Sequence, residues 1–270
     1  EGKRGNPRIK PPFPAVVGLY GNPTVVNNVE TIMDVPWIVT NGGEEFAKIG
    51  IGKSTGTKLI SASGNIKKPG VYEIELNITV DEFVNSDEYC GGMQTDRPLK
   101  ACVPGGSSVP ILPAHLLFKT AKGEDRLMTY ESMSDGGFAS GSMIGSGGFI
   151  VYDDRACVVR NTWNFARFYH HESCGQCSPC REGTGWMEKI LHNIEYGKGK
   201  MSDIDLLWDI QSKIEGNTIC PLGDAAAWPV AAAIRHFRDE FEWHVTHPNA
   251  AQQRNFGLAN YADPVGVAVS

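Results

Sequence analysis

The spacing of hydrophobic residues changes near residues 56 and 152 and divides the chain into three stretches. In the last stretch, apolar residues recur every three or four positions, which is the period of an amphipathic helix. Four such faces follow one another: Val159, Trp163, Ala166 and Tyr169; Trp186, Ile190, Leu191 and Ile194; Leu207, Ile210 and Ile214; and Val230, Ile234, Phe237, Phe241 and Val245. Residues 152–248 are therefore predicted to form a four-helix bundle, followed by a tail at 249–270.

The middle stretch, residues 56–151, shows the alternation of apolar and polar residues that is typical of strands with one buried face. Residues 58–63 and 71–80 are predicted to pair as a hairpin, followed by a helix at 80–89 and a strand at 100–103. This order indicates a β-grasp-like domain. The glycine-rich segment 105–108 is expected to be a plain turn, because it lacks the lysine that follows in a phosphate-binding P-loop.

The first stretch, residues 1–55, begins rich in proline and glycine, which predicts loops before a short strand at 24–26 and a helix from Val29. Asn27 and Asn28 stand just before that helix. Asparagine at this position commonly serves as an N-cap. The alternative is a binding site, because the N-terminus of a helix can also bind a phosphate or ribityl group. Lys10 and Phe13 lie among prolines, which would hold a cation and an aromatic ring in a fixed relation. The two residues could then bind an anionic ligand that carries a planar base. The alternative is that Lys10 is solvated and the Phe13 ring packs against other apolar groups.

Four cysteines form the clearest chemical pattern in the chain. Cys174, Cys177 and Cys180 follow a C-x2-C-x2-C spacing, and Cys220 stands directly before a proline. Structural zinc sites usually use two separate pairs of ligands, whereas three near cysteines and one remote cysteine are typical of a [4Fe–4S] site. The spacing favours the iron–sulfur cluster, with zinc and unligated thiols as alternatives. Cys180 and Cys220 are expected near the N-termini of two helices of the bundle.

Several neighbouring residues have more ordinary interpretations. His170 and His171 precede the cysteine motif, but four thiolates already complete a ligand set, so the histidines are expected to lie at a helix end. Glu172 and Glu182 suit backbone caps better than acid–base groups.

Composition and charge exclude some classes of function. A net charge of −6 without a basic, aromatic-rich segment gives no support for nucleic-acid binding. The apolar run at 225–234 is about half the ~20 residues that a bilayer span needs. With four cysteines in the motif, Cys90, Cys102 and Cys157 remain unassigned, and the odd total of 7 favours a reducing compartment. The chain begins with Glu1, which suggests a fragment or a processed product.

The sequence around the cysteines closely resembles the flavoprotein subunit of respiratory NADH:quinone oxidoreductase, complex I. The resemblance rests on residues 171–183 and 220–224 and extends to residues 8–15, 24–31, 103–108 and 167–169. It implies an α+β protein that comprises the end of a flavin- and NADH-binding α/β domain (1–55), a ubiquitin-like, soluble-ligand-binding β-grasp domain (56–151) and a four-helix-bundle iron–sulfur domain (152–248).

The resemblance also implies a function as the electron-input subunit. NADH would reduce FMN, and electrons would leave through a [4Fe–4S] cluster on Cys174, Cys177, Cys180 and Cys220 toward quinone. Lys10 and Phe13 would lie at the NADH site, and Asn27 and Asn28 would contact FMN. The implied partners are other peripheral-arm subunits, including a [2Fe–2S] thioredoxin-like subunit, in a complex on the cytoplasmic face of the membrane.

The resemblance leaves three questions open. The family's glycine-rich flavin loop does not occur in these residues, so the chain alone is expected to bind FMN poorly and to lack NADH oxidation. A diaphorase subunit of an NAD-dependent formate dehydrogenase or NAD-reducing hydrogenase uses the same module. A non-enzymatic iron–sulfur relay and a zinc-stabilised interaction domain are the remaining alternatives.

Overall fold

A computed structural model describes residues 4–6, 8 and 10–248 of the chain. The predicted tail at 249–270 and part of the first loop therefore lie outside the described residues. Helices and strands are mixed, as the sequence predicts, and two hydrophobic cores form, one under a sheet and one inside a helical bundle.

The N-terminal stretch is helical and strongly exposed. A 3₁₀ turn spans Leu19–Gly21, helix α1 spans Val29–Asn41 and helix α2 spans Gly43–Phe46. None of the residues of α1 is buried. The strand predicted at 24–26 was wrong: this segment is extended but pairs with no strand of the described chain, and strand formation by β-branched residues depends on such pairing.

A five-stranded sheet forms the middle of the molecule, preceded by a small hairpin of β1 (Gly50–Ile51) and β2 (Ser54–Thr55). The sheet and its connections comprise β3 (Thr57–Gly64), β4 (Gly70–Glu75), α3 (Val80–Asn85), β5 (Leu99–Val103), β6 (Leu112–Pro113), α4 (Ala114–Phe118), α5 (Tyr130–Met133), α6 (Gly137–Ser140) and β7 (Gly148–Asp153). The strand order is β4-β3-β7-β5-β6. The first and last strands, β3 and β7, lie parallel, and β3 pairs antiparallel with β4 as predicted.

Two predicted elements of this region are longer than the observed ones. Strand β4 ends at Glu75, and α3 ends at Asn85. The reason is Thr79, whose hydroxyl accepts a hydrogen bond from the Glu82 N–H and so caps α3. The residues between β4 and Thr79 are consequently used to turn the chain rather than to extend the strand.

The C-terminal part is the predicted bundle of four helices. These are α7 (Val158–Glu172), α8 (Ser178–Glu195), α9 (Met201–Ile214) and α10 (Leu222–Thr246). One predicted inward residue was wrong: Trp186 is 54% exposed, and Met187 beside it is fully buried in the core. Leu191 and Ile194 of the same predicted face are fully buried, so the face on α8 is right except at its first position.

The sheet joins the two cores, because successive residues of a strand point to opposite faces. Cys102 belongs to the core shared with α3, whereas Ala101 and Val103 pack into the core of the bundle. The hydroxyl of Tyr169 on α7 also lies 3.0 Å from the hydroxyl of Ser107. The bundle is therefore anchored to the sheet beside the 105–108 segment.

The segment 105–108 forms a packed turn, as predicted. The Gly106 N–H donates to the Gly148 carbonyl at 2.6 Å. A Cβ on Gly105 would lie 2.2 Å from the Met143 carbonyl oxygen, so only glycine fits here. The glycines of this segment thus serve a close approach of two backbone segments.

Candidate metal centre

The four cysteines of the motif meet at one end of the bundle. Cys174 lies in the loop that follows α7, Cys177 is the N-cap of α8, and Cys180 lies in the first turn of α8. Cys220 stands directly before Pro221, the N-cap of α10. The predicted positions at two helix N-termini are confirmed, and the partial positive charge of such termini favours negatively charged ligands.

The thiols lie close enough to interact electrostatically. Burial raises the pKa of the Cys180 thiol, the nearby Ser173 hydroxyl lowers it, and negative charge on the other three cysteines raises it: Cys220, Cys174 and Cys177. All four are free thiols. Repulsion among four thiolates in one place is relieved when they bind positively charged metal, so the donor set suits a metal centre.

The spacing of the sulfurs is wider than a single ion requires. A tetrahedral zinc ion with Zn–S bonds of ~2.3 Å brings its sulfurs to about 3.8 Å from one another. Within the described ranges, no three sulfurs of this set lie within 4.8 Å of one another. The sulfurs are therefore not at the spacing of a single tetrahedral zinc site.

Hydrogen bonds hold the loop that carries Cys174 and Cys177. The Ser173 hydroxyl lies 3.2 Å from the Cys180 sulfur and accepts from the Gly175 N–H at 3.4 Å. Gly175 has φ +80°, a left-handed conformation that glycine adopts without strain. The Arg181 guanidinium donates to the Gly175 carbonyl at 2.8 Å. Hydrogen bonds from Ser173 and Arg181 therefore hold the loop in place without a bound metal.

A second set of contacts brings Cys220 to the other three cysteines. The Ile219 N–H donates to the Cys177 sulfur at 3.4 Å. The Thr218 hydroxyl donates to the Cys220 carbonyl at 2.9 Å, and the Asp224 carboxylate on α10 accepts from the Gly216 N–H at 2.7 Å. Sequence analysis missed these supporting contacts, because nothing in the spacing of Thr218 or Asp224 indicates their partners.

The site opens at the surface on one side. Cys180 is buried, Cys177 is half-buried, and Cys174 and Cys220 are exposed. Ile219, next to Cys220, is an apolar side chain with 84% of its surface exposed. One side of the centre therefore faces the core of the bundle and the other faces solvent or a partner.

His170 and His171 lie in the last turn of α7, as the sequence predicts. Glu172 and Glu182 differ from the prediction, because each contacts a neighbouring side chain instead of capping the backbone. His171 lies 2.9 Å from the Glu172 carboxylate, and the Arg181 Nε donates to Glu182 at 2.9 Å. The His170 ring lies over Gly185 of α8.

The other predicted site residues lie in the N-terminal stretch. Asn28 is the N-cap of α1, and its side-chain oxygen accepts from the Glu30 N–H at 2.7 Å. Asn27 and Lys10 are exposed, and Phe13 is 54% exposed. Asn28 therefore has the N-cap role that the sequence suggests.

Comparisons with known proteins show which proteins the chain resembles. Residues 160–244 match the family model described as "NADH-ubiquinone oxidoreductase-F iron-sulfur binding region", and this span contains all four cysteines. The NADH-quinone oxidoreductase F subunit of Mycobacterium tuberculosis is 47% identical over 91% of this chain and 52% of its own length. The chain is thus similar to NADH-quinone oxidoreductase F subunits over most of its own length. A second F subunit of Rhizobium meliloti agrees, with 46% identity over 91% of this chain and 55% of its own length.

The match is partial in length and extends to solved structures. The chain spans about half the length of the F subunits that it matches. A crystal structure of an NAD⁺-reducing [NiFe]-hydrogenase in the air-oxidised state superposes with a TM-score of 0.75 at 32% identity, covering 89% of this chain and 39% of that one. Among the described helices, none has the length and apolar character of a membrane span.

Proposed function

We propose that the chain is the cluster-carrying part of an NADH-quinone oxidoreductase F subunit, with a [4Fe–4S] cluster on four thiolates: Cys174, Cys177, Cys180 and Cys220. The observation that carries this proposal is the convergence of these thiols at the N-termini of α8 and α10, inside the span that matches the iron–sulfur region. When bound, such a cluster accepts and releases single electrons. The chain's own residues would set its environment through nearby N–H donors and Arg181.

In this proposal the substrate of the whole protein is NADH, which the names of the similar subunits contain, and its flavin is FMN, which the sequence resemblance implies. Lys10 and Phe13 are assigned to the NADH site, and Asn27 and Asn28 to the flavin. Their exposure supports the assignment, because a binding wall must present its side chains. Asn28 can cap α1 through its oxygen while its amide nitrogen faces a ligand.

An apolar surface around α1 supports an extensive contact in this region. Large hydrophobic residues are exposed along it: Val25 (82%), Val26 (75%), Val29 (77%), Met33 (69%) and Val39 (79%). Exposed apolar patches of this kind mark interaction surfaces. We assign this surface to contact with the half of the F subunit that the chain does not match.

The proposed domains keep the boundaries that the sequence predicts. Residues 1–55 belong to the flavin and NADH domain, 56–151 to a β-grasp domain and 152–248 to the iron–sulfur bundle. The sheet order supports the β-grasp assignment, because its first and last strands lie parallel at the centre with α3 packed on one face. The partners are the other peripheral-arm subunits, including the [2Fe–2S] thioredoxin-like one, in a complex peripheral to the membrane.

Electron transfer gives the exposed side of the centre a role. Cys220 and Ile219 lie at the surface, where a partner subunit could approach the cluster closely. A relay needs one side that insulates the cluster from solvent and one side that faces the next carrier. The buried Cys180 and the exposed Cys220 provide these two sides.

Titration of the 270-residue chain with FMN tests how much of the flavin site it contains. Because about half of each relative lies outside the match, we expect weak binding, with free-flavin fluorescence persisting at equimolar FMN, and no NADH oxidation. Riboflavin, which lacks the phosphate, is the control for nonspecific stacking. Tight stoichiometric binding of FMN would show that the flavin site is complete in these residues.

Substitution of Gly223 by Ala tests whether the Cys220 loop must pack against α10. The added Cβ would lie 2.4 Å from the Thr218 hydroxyl and 2.6 Å from its methyl group, so the loop must shift. We expect a loss of about 1–3 kcal/mol in unfolding free energy and reduced iron occupancy after anaerobic reconstitution. Gly43→Ala is the matched control, because nothing lies within 4 Å of its Cβ. Equal iron content in both variants would refute this role of Gly223.

A hydrogenase diaphorase is the second candidate. The superposition on the NAD⁺-reducing hydrogenase favours it, but the identity of 32% is lower than the 47% shared with the F subunit of Mycobacterium tuberculosis. Affinity purification from the native cell separates the two. Copurified quinone-reductase subunits support the first candidate, and a copurified nickel–iron subunit supports the second.

A further inference from the structure

A second cluster of metal-ligating side chains lies at the opposite end of the bundle from the four cysteines. Cys157 is the N-cap of α7, Glu195 is the last residue of α8, and His244 lies near the end of α10. The cysteine motif lies at the other end of these helices. Because α7 rises ~1.5 Å per residue over its 15 residues, the two places are about 22 Å apart.

The three side chains meet at close range. The Cys157 sulfur lies 3.2 Å from His244 Nε2 and 3.9 Å from the Glu195 carboxylate. The same carboxylate lies 3.6 Å from His244 Nδ1. One donor atom from each residue can be chosen so that all three fall within 4.8 Å of one another.

These separations match the edges of a zinc coordination tetrahedron. Zinc binds cysteine sulfur at ~2.3 Å and histidine nitrogen or carboxylate oxygen at ~2.0–2.2 Å. At tetrahedral angles those bonds place the donor atoms about 3.3–3.7 Å apart. The Cys157 contacts of 3.2 Å and 3.9 Å lie near these values, and one donor atom from each residue lies within 4.8 Å of the others, so small side-chain rotations would let a single ion contact all three residues.

The cluster is enclosed by the fold. Cys157 is 6% exposed, Glu195 is 2% exposed and His244 is 3% exposed. Burial raises the pKa of the Cys157 thiol to about 12 and that of Glu195 to about 7, and it lowers the pKa of His244 to about 4. Burial therefore disfavours the Cys157 thiolate and the Glu195 carboxylate, because a buried charge without a partner lowers the stability of the fold. A bound divalent cation would offset this cost for both anions.

Two cationic side chains, Lys100 and Arg160, lie near the cluster. Lys100 forms an ion pair with Glu240, whose other carboxylate oxygen accepts from the Val158 N–H at 3.1 Å. Arg160 lies 4.0 Å from Glu195, with about half of its side chain exposed to solvent. Next to the larger effect of burial, the charge of Lys100 acts to lower the pKa of Cys157 and of His244, and that of Arg160 acts to lower the pKa of Glu195. Both cations thus favour the thiolate and the carboxylate, which are the forms that bind a metal.

We propose that Cys157, Glu195 and His244 form a buried zinc site that is separate from the iron–sulfur centre and ties the ends of α7, α8 and α10 together. Zinc would bind the Cys157 thiolate, one Glu195 oxygen and one imidazole nitrogen, and water would take the fourth position. On binding, the S–H bond of Cys157 breaks, the sulfur–zinc bond forms and the proton passes to solvent. No oxidation or reduction takes place.

Zinc analysis of the anaerobically purified chain tests this proposal. The chain is stripped with a chelator, equilibrated with Zn²⁺ alone and analysed for zinc and iron together. With the iron–sulfur centre filled, we expect about one zinc per chain and a higher melting temperature with zinc than without. Absence of zinc from the iron-loaded chain would overturn the proposal and would leave the iron–sulfur assignment untouched.

Variants locate the zinc. Cys157→Ser, Glu195→Gln and His244→Gln are each expected to lose the zinc and its thermal stabilisation while keeping the iron, which reports that the bundle is folded. Cys90→Ser is the matched control, since Cys90 is a buried free cysteine of the sheet core. If all three variants keep the zinc, the ion lies elsewhere and the proposal is wrong. Loss of stability without any zinc in the parent chain would identify the cluster as a hydrogen-bonded core network.

Discussion

Replacing Cys180 by Ser is expected to remove the iron–sulfur cluster and to destabilise the bundle. Cys180 is 7% exposed and lies in the first turn of α8, where its sulfur contacts the Ser173 hydroxyl. A serine oxygen is a poor ligand for a cluster that is held by thiolates. Iron should fall from about four atoms per chain to less than one, with loss of the broad visible absorbance.

The loss of metal should appear as a loss of folding stability, because binding energy at such a site is folding energy. Anaerobic thermal unfolding, followed by circular dichroism, measures it. Cys102→Ala is the control: it removes a buried thiol of the sheet core, should cost about 1–2 kcal/mol and should keep the iron. Full iron content in Cys180→Ser would contradict the assignment of this ligand.

Replacing Arg126 by Met is expected to destabilise the sheet domain strongly. Arg126 is fully buried, and burial lowers the pKa of its guanidinium. Its side chain donates to five backbone carbonyl groups: those of Leu116, Lys119, Ser132, Met133 and Ser140. Methionine fills much of the same space but donates nothing, so these buried carbonyl groups lose their partner.

We expect a cost of about 3–5 kcal/mol in unfolding free energy, measured by urea denaturation followed by circular dichroism. Arg97→Met is the matched control. Arg97 is 43% exposed and pairs with Asp154 at 3.0 Å, and such a surface pair contributes less than about 1 kcal/mol. If both variants lost equal stability, the buried guanidinium would have no special role in joining these loops.

Local patterns were sufficient to predict the bundle and the cysteine centre. The helical period specifies which face of each helix is buried, and the three close cysteines are fixed by one short loop. Trp186 shows the limit of such patterns, since of two adjacent apolar residues at the edge of the face either one can be the buried one. Packing against α7 and α9 selects Met187 for the core instead.

Long-range polar contacts could not be predicted from the sequence. Glu195 and His244 lie 38 and 87 positions beyond Cys157, and no periodic pattern connects residues so far apart. Arg126 resembles any surface arginine in the sequence, because its partners are backbone carbonyl groups, which have no sequence signature. The strand expected at 24–26 failed for a related reason: β-propensity is local, but a strand exists only where a partner strand is present.

The most direct test of the central claim is low-temperature electron paramagnetic resonance of the anaerobically purified, dithionite-reduced chain, combined with iron and sulfide analysis. We predict about four iron and four sulfide per chain and the paramagnetic signal of a reduced [4Fe–4S] cluster, which disappears in Cys180→Ser. A colourless chain that holds one zinc ion on the four cysteines, without iron or signal after reconstitution, would contradict the claim.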